Sequence, residues 1–198
     1  ADGLKNVYVS DKAKTAFEEA EIGRYGGFKN YETVYAPTHT VGAHGGTPRV
    51  NGASQNVTYA ASKQTWTQTL VTDGWTNSVT GVLKAGDVFT IAGVNAVNPI
   101  SKADTGRLQT FTVLADANSG ASTGPAALTI SPAIITSGPY QTVSAAPADN
   151  AAITVLGTGG TAYPQNLGFH RNAFALVTVP LEMPDGAAFK ARESHNGL

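Results

Sequence analysis

The sequence predicts a mainly β protein whose centre is an antiparallel β-barrel, with a β-sandwich as the related alternative. Several short stretches alternate between apolar and hydroxyl-bearing residues, as Leu128, Thr129 and Ile130 do, which is the period of a strand with one buried face. Turn signals such as "DG", "AG" and "SGP" separate these stretches. Charged residues make up only 14% of the 198 residues, while glycine occurs 22 times. This composition favours many short strands joined by turns.

The first predicted element is a short helix over "SDKAKTAFEEAEIG", residues 10–23. Ser10 or Asp11 can cap its start, Ala13 and Phe17 share one face, and Gly23 can end it. An isolated helix of about a dozen residues is marginal in water, so this helix needs a neighbour to pack against.

A strand is expected around residues 31–35, and a boundary is expected near residues 45–52, where Gly and Pro accumulate. The strands predicted after this boundary are, in chain order, "NVTYAA", "TWTQTLV", "SVTGVLK", "DVFTIAG", "LQTFTVLAD", "ALTISPAI", "YQTVSAA" and "AITVLG". In "DVFTIAG", Phe89 and Ile91 should face the core, and Gly93 should allow a bulge. The glycine-rich "GTGGT" is interpreted as a flexible connector that leaves the β region. A further strand is expected over residues 174–179.

Composition excludes several classes of function. The formal net charge is −1, which gives no general electrostatic attraction to nucleic acid or to an anionic membrane. Cysteine is absent, which excludes disulfides, thiolate metal sites and cysteine nucleophiles. No apolar run approaches the roughly 18 residues that span a bilayer, and the start lacks the layout of a signal peptide. We therefore expect a soluble chain that is processed or cut from something longer.

The residues that could carry chemistry do not form a known catalytic or ligand-binding pattern. His39 and His44 lie five residues apart in a Gly-rich segment, without the third ligand or flanking carboxylate that zinc requires. Neither these nor His170 and His195 belong to an HExxH motif, and no serine elbow is present. In "VTDGWTN", Asp73 beside Trp75 could contact calcium or a sugar, but a hairpin turn is the favoured interpretation. We predict no catalytic, cofactor-binding or metal-binding residue.

One segment is typical of a subunit interface. "GRYGGFKNYETVY" concentrates aromatic and cationic side chains where few local strands could bury them, and Tyr, Phe and Arg are favoured at interfaces. Packing within the same chain is an equally good explanation. The candidate intersubunit contacts from this segment are Arg24, Tyr25, Phe28, Lys29, Tyr31 and Tyr35.

Four segments, in the same order along the chain, resemble a known family. They are "AFEEAEIGRYGGFKNYETVYAPTHTVG", "LKAGDVFTIAGVNAVNP", "ALTISPAIITSGPYQTV" and "QNLGFHRNAFALVTVPLEMP". Together they are similar to the major coat protein of short-tailed bacteriophages, in which a tailed-phage capsid fold of α+β segments carries an inserted antiparallel β-barrel domain. The resemblance implies a peripheral to axial segment with the helix at 1–45, the inserted barrel at 46–162, and a return into the axial domain at 163–198.

The resemblance also implies a structural role without enzymatic activity or cofactor. The expected partners are other copies of the coat protein, a scaffolding protein during assembly and a possible decoration protein, with no membrane and no sequence-specific nucleic acid. The expected locations are the virion (capsid) and the bacterial host cytoplasm during assembly. The sequence lacks the arm, the spine helix and the final strand of the family, which suggests a fragment.

A segment resembling "TWTQTLVTDGWTNSV" forms a long acidic loop in the best-known type of this family, and that loop reaches a neighbouring subunit. Here the loop is short and Asp73 is its only acid. Asp73 and Trp75 nevertheless complete the set of candidate intersubunit contacts. The competing hypothesis is a secreted β-sandwich adhesin or carbohydrate-binding module, which the Thr-rich strands, Trp66 and Trp75 motivate.

Overall fold

The computed structural model describes residues 21–25, 27–31, 33–170 and 172–173. The chain divides into two compact units, Val34–Gln165 and a second unit made of Ala1–Thr33 with Asn166–Leu198. Most of the predicted helix at residues 10–23 and all of the predicted strand at residues 174–179 lie outside the described residues.

The described part of the second unit is an antiparallel hairpin of β1 (Glu21–Tyr25) and β2 (Phe28–Tyr31). Gly27 has a φ of +85°, which glycine adopts without strain in the turn between the strands. The structure therefore corrects the end of the predicted helix: residues 21–23 belong to β1, which pairs with β2. It also corrects the strand predicted around residues 31–35, because β2 ends at Tyr31 and a turn follows at residues 34–35.

The unit Val34–Gln165 is built almost entirely of strands. Its elements are β3 (Thr38–Thr40), β4 (Gly46–Val50), α1 (Tyr59–Ser62), β5 (Gln68–Trp75), β6 (Val88–Val97), β7 (Asp104–Val113), β8 (Ala126–Ser131), β9 (Ile153–Val155) and β10 (Ala162–Pro164). The helix α1 is a single turn of four residues.

Six of these strands form one antiparallel sheet in the order β4-β5-β8-β7-β6-β9. The two outer strands of this order also meet, because Arg49 forms a bridge with Ala152 and the Val50 amide donates to the Ala151 carbonyl at 3.0 Å. The sheet is thus nearly closed into a barrel, and this contact covers part of the free edges of β4 and β9. The predicted fold class, mainly β with an antiparallel barrel, is confirmed.

The barrel interior is filled by alternate residues of its strands. In β5, Leu70 and Thr72 are buried while Thr69 and Val71 face outward, and Leu70 lies opposite Leu128 of β8. Phe89 of β6 and Phe111 of β7 are also opposite each other, with ring centroids 5.7 Å apart. Each fully buried apolar side chain of this size contributes roughly 1.5–3 kcal/mol through removal from water. The alternation that predicted the strands is therefore the alternation that fills the core.

Gly93 interrupts β6 as the sequence predicted. Its φ is +78°, and the register between β6 and β7 shifts between Thr90 and Asn95. The predicted bulge is confirmed.

Three of the eight predicted strands are wrong. "NVTYAA" leads into α1, because residues 59–62 make a helical turn after the extended Thr58. "SVTGVLK" is mostly turns with one bridge between Leu83 and Ala117, and "YQTVSAA" has one bridge between Ala96 and Val143. Leu83 and Val143 are fully buried. They are apolar because they pack in the core, although the segments around them do not form strands.

Candidate functional site

Two strands of the unit Val34–Gln165 lie outside the barrel sheet and pair with each other. β3 and β10 are antiparallel, with His39 opposite Tyr163 and Thr38 opposite Pro164. The pairing continues past β3, since the Val41 amide donates to the Thr161 carbonyl at 3.0 Å. We call residues 38–42 and 160–164 the stem.

The stem meets the barrel at a buried carboxylate. Asp87, immediately before β6, is 2% exposed, and its Oδ1 lies 2.7 Å from Nε2 of His39. Its Oδ2 accepts from the Gly42 amide at 2.9 Å and from the Lys84 amide at 2.7 Å. A buried carboxylate is costly unless it is paired and hydrogen-bonded, and here both oxygens are used. Two of these three partners, His39 and Gly42, belong to the stem.

Gly42 is the residue that permits this close approach. A Cβ at this position would lie 2.5 Å from the Cα of Leu83 and 2.9 Å from Oδ2 of Asp87. A side chain would therefore push the stem off the barrel.

A cavity of about 350 Å³ opens beside the same junction. Its walls include His39, Val41, Val88 and Leu156, together with Tyr163. The Tyr163 hydroxyl accepts from the Thr158 amide at 3.0 Å, and hydrogen bonds with Thr158 lower the pKa of Tyr163. Because both Asp87 oxygens already serve His39 and backbone amides, the arrangement suits a structural joint better than proton transfer to a ligand.

The histidines do not converge. His39 contacts Asp87, whereas Nε2 of His44 lies 3.1 Å from the Gly157 carbonyl oxygen and Nδ1 of His170 accepts from the Asn172 amide. His195 lies outside the described residues. Among the residues that the structure describes, no group of three or more His, Cys, Asp or Glu side chains could hold a metal ion.

The "GTGGT" segment is not the flexible connector that the sequence predicts. Gly160 donates to the carbonyls of Val41 and Gly42 at 3.1 and 3.2 Å. Gly159 lies so close to the backbone of His44 that a Cβ would come within 2.6 Å of its carbonyl oxygen. Gly159 and Gly160 therefore allow the backbone of this segment to pack closely against residues 41–44.

The structure places most of the candidate intersubunit residues at the surface. The side chains of Phe28, Lys29 and Tyr31 are exposed, and Tyr35 is 89% exposed. Only the backbone of Arg24 and Tyr25 is described, in β1. These exposures leave the predicted intersubunit role open.

The predicted location of Asp73 and Trp75 in a hairpin turn needs correction. They lie within β5 and not in a hairpin turn, and Asp73 is half-buried opposite Arg49 of β4. Trp75 is 2% exposed, and its Nε1 donates to Oγ1 of Thr72 at 2.8 Å, so in this chain it is a residue of the barrel core. The indole was expected at the surface because the "DG" pair indicates a turn, whereas Gly74 uses its φ of +75° within the strand.

Trp66, the other tryptophan that motivated a sugar-binding hypothesis, belongs to an aromatic cluster. The Tyr59 and Tyr140 rings stack with centroids 3.8 Å apart, and the Trp66 ring lies 5.9 Å from Tyr59. A hydrogen bond with the Tyr140 side chain is the main cause that raises the pKa of Tyr59. The cluster joins α1 to the loop that contains Tyr140.

Across the described part of the chain, no helix has the length and the apolar character needed to cross a bilayer.

The chain belongs to the P22 coat protein family. The family model described as "P22 coat protein - gene protein 5" matches residues 4–195. The major capsid protein of Acyrthosiphon pisum secondary endosymbiont phage 1 is 30% identical over 191 residues, which cover 91% of this chain and 45% of that protein. The chain thus spans less than half the length of this curated relative. Among solved structures, the CUS-3 coat protein I-domain is 35% identical with a TM-score of 0.37, and the match covers 57% of this chain and 96% of that chain.

Proposed function

We propose that this chain is part of a structural coat protein that assembles with copies of itself into an icosahedral bacteriophage shell. Membership of the P22 coat protein family is the observation that supports this proposal most directly. In this proposal no bond is made or broken, and the chain acts by folding and by presenting surface to neighbours.

The barrel suits the role of an inserted domain. Its stem strands β3 and β10 are paired, so the polypeptide enters and leaves the unit Val34–Gln165 at one place. The core of the barrel comes from its own alternating strands. A unit with its own core can fold before the rest of the protein and aid its folding. We assign residues 46–162 to the inserted barrel, 1–45 to the peripheral to axial segment, and 163–198 to the return into the axial domain.

The proposed partners follow from assembly into a shell. They are other copies of the coat protein, a scaffolding protein during assembly in the host cytoplasm, and a decoration protein on the finished virion. Phe28, Tyr31 and Tyr35 are proposed as subunit contacts, because large aromatic side chains with this exposure commonly become buried at interfaces.

Assembly of a full-length coat protein that contains this chain tests the proposal. The protein would be expressed in bacteria with its phage's scaffolding protein, and the lysate inspected by electron microscopy. Closed icosahedral shells are expected, and soluble monomers under all conditions would contradict the shell function.

A pair of variants tests the contact assignment separately. Tyr35→Ala should fold but assemble fewer shells than the parent protein, because it removes an exposed aromatic side chain. Ile100→Ala is the matched control, since Ile100 is 93% exposed in the barrel unit. Equal shell yields for both variants would contradict the role of Tyr35 and leave the shell function standing.

A further inference from the structure

Asp87 is the buried charged residue of the barrel unit that the proposed shell function does not explain. Its side chain is completely inaccessible to solvent, whereas that of His39 is 25% exposed. The simplest explanation is local: Asp87 accepts from Lys84 and so closes the turn before β6, in which the Asp87 amide donates back to the Lys84 carbonyl. That explanation accounts for one of its three hydrogen-bond partners.

The other two partners lie far away in sequence. His39 and Gly42 are 48 and 45 residues from Asp87, and both belong to the stem. A neutral residue could close the turn, so a buried carboxylate is needed only where several donors must be satisfied at once. The two oxygens face different parts of the stem: Oδ1 meets a side chain of β3, and Oδ2 meets the backbone just after it.

We propose that Asp87 and His39 form a lock that fixes the stem on the barrel, so that the two move as one body. The lock works with a second contact, in which the Ala43 amide donates to the Gly81 carbonyl at 3.0 Å. Without Asp87, the stem would lose its side-chain contacts with the barrel, and its β3–β10 pairing, no longer supported by them, would open more often. The inference rests on the geometry of this unit and is independent of what the protein assembles into.

Amide hydrogen exchange of the whole chain, followed by NMR, distinguishes a lock from an ordinary core contact. Asp87→Ala should accelerate exchange of the stem amides of Val41 and Gly160 by about tenfold or more relative to barrel amides such as that of Asn51, because local opening exposes only the released segment. The Asn51 amide donates to the Val71 carbonyl of β5 at 3.0 Å, and neither residue belongs to the stem or is hydrogen-bonded to Asp87.

Thr72→Val is the matched control. Thr72 is also a buried polar residue, and its Oγ1 donates to the Ala126 carbonyl and accepts from Trp75 within the barrel. This substitution should lower the stability of the barrel without a selective effect on the stem. If Asp87→Ala changes stem and barrel amides by the same factor, as a loss of global stability would, the lock does not exist.

His39→Ala provides the same test if Asp87→Ala does not fold. It removes the side-chain bridge but leaves Asp87 bonded to the amides of Gly42 and Lys84. The stem amides should again exchange faster than the barrel amides, by a smaller factor. Stem exchange at the parent rate in this variant would overturn the proposal.

A distance measurement tests the orientation itself. The chain contains no cysteine, so cysteines introduced at the exposed positions Thr38 and Ala127 can carry spin labels on the stem and on β8. The parent should give one narrow distance distribution, and Asp87→Ala a clearly broader one. Equally narrow distributions would contradict the lock.

Discussion

At the scale of single residues, buried apolar side chains and hydrogen-bonded polar side chains stabilise the barrel unit. Phe89 and Phe111 fill the space between β6 and β7. Among the described residues that are not exposed, no buried side-chain nitrogen or oxygen lacks a hydrogen-bond partner. Because the interior is close-packed and its polar groups are paired, single substitutions there should be costly.

Phe89→Ala should lower the free energy of unfolding by about 3–5 kcal/mol, because it removes a buried aromatic ring and leaves a cavity. Urea denaturation followed by circular dichroism measures this loss. Leu108→Ala is the control, since Leu108 lies on neighbouring β7 but is 45% exposed, and it should cost well under half as much. Equal losses for the two variants would show that Phe89 is not a core residue.

Gly124→Ala should destabilise the unit by about 1–3 kcal/mol more than Gly106→Ala does. Both glycines have positive φ, 61° and 68°, so backbone strain is common to both substitutions. Only at Gly124 would a Cβ overlap the backbone of Trp75, whereas nothing lies within 4 Å at Gly106. Thermal unfolding of the two variants measures the difference, and similar melting temperatures would argue against the tight contact.

The sequence could identify core residues but not the lock. Phe89, Leu128 and Ile130 were recognisable because burial follows the strand period. Asp87 looked like an ordinary turn residue after Gly86, since its partner His39 is 48 residues away and no local pattern connects them. Trp75 was misplaced for a related reason: a local turn signal was overridden by tertiary packing.

At the scale of elements, β6 and β7 form a hairpin, and residues 95–108 make up its tip. The residues at its tip are mostly exposed, and the tip is held by short polar contacts. Oδ1 of Asn98 accepts from the amides of Ile100 and Ser101, and Asp104 accepts from Asn95 and Gly106. The tip is therefore organised by asparagine and aspartate side chains that mimic backbone turns.

The pKa of Asp104 should lie below the ordinary value of an aspartate, because the Asn95 side chain, and then the Gly106 amide, bond to its ionised form. The sign follows from linkage: ionised Asp104 stabilises the tip above the pKa of the unfolded state, and this contribution is lost as the pH falls through the folded-state pKa. NMR titration of the carboxyl carbon measures the pKa.

Asn95→Ala should raise the pKa of Asp104 toward the ordinary value. Asn98→Ala is the control, since Asn98 lies in the same tip but bonds to Ile100 and Ser101. If the pKa of Asp104 is the same in the parent and in Asn95→Ala, the hydrogen bond between them does not form in solution.

Strand prediction succeeded where side chains alternate and failed where burial comes without a ladder. "ALTISPAI" and "DVFTIAG" alternate and form β8 and β6. "YQTVSAA" contains the buried Val143, but the amides of Thr142 and Val143 bond to the Ile135 carbonyl within a loop. An apolar residue in a short stretch shows that the chain is buried there, not which hydrogen bonds it makes.

At the scale of the whole molecule, the unit Val34–Gln165 has the properties of an independently folding domain. Its barrel closes through β4 and β9, and its core cluster comes from strands of the same unit. The contact between β4 and β9 leaves fewer unpaired edges, which limits wrong pairing between chains.

A fragment of residues 34–165 should fold and unfold cooperatively, and the shorter fragment 46–162 should fold with lower stability. The shorter fragment lacks His39 and Gly42, so Asp87 loses two of its three hydrogen-bond partners, which costs about 1–3 kcal/mol. Urea denaturation of both fragments measures the difference. Introducing Asp87→Ala into both should shrink that difference, because the substitution removes the interaction being compared; an unchanged difference would show that Asp87 is not its cause.

The pairing of Thr38 with Pro164 has a consequence for any protein that contains this unit. The Cα atoms of residues opposite each other in an antiparallel ladder are only about 5 Å apart. The two points where the polypeptide enters and leaves the unit are therefore as close together as the ends of a tight turn. Exchanging the entire unit for a short linker, or for an unrelated domain with adjacent termini, would leave the chain on either side nearly where it was. Such grafts succeed where the exchanged piece begins and ends at one point, and the stem provides that point.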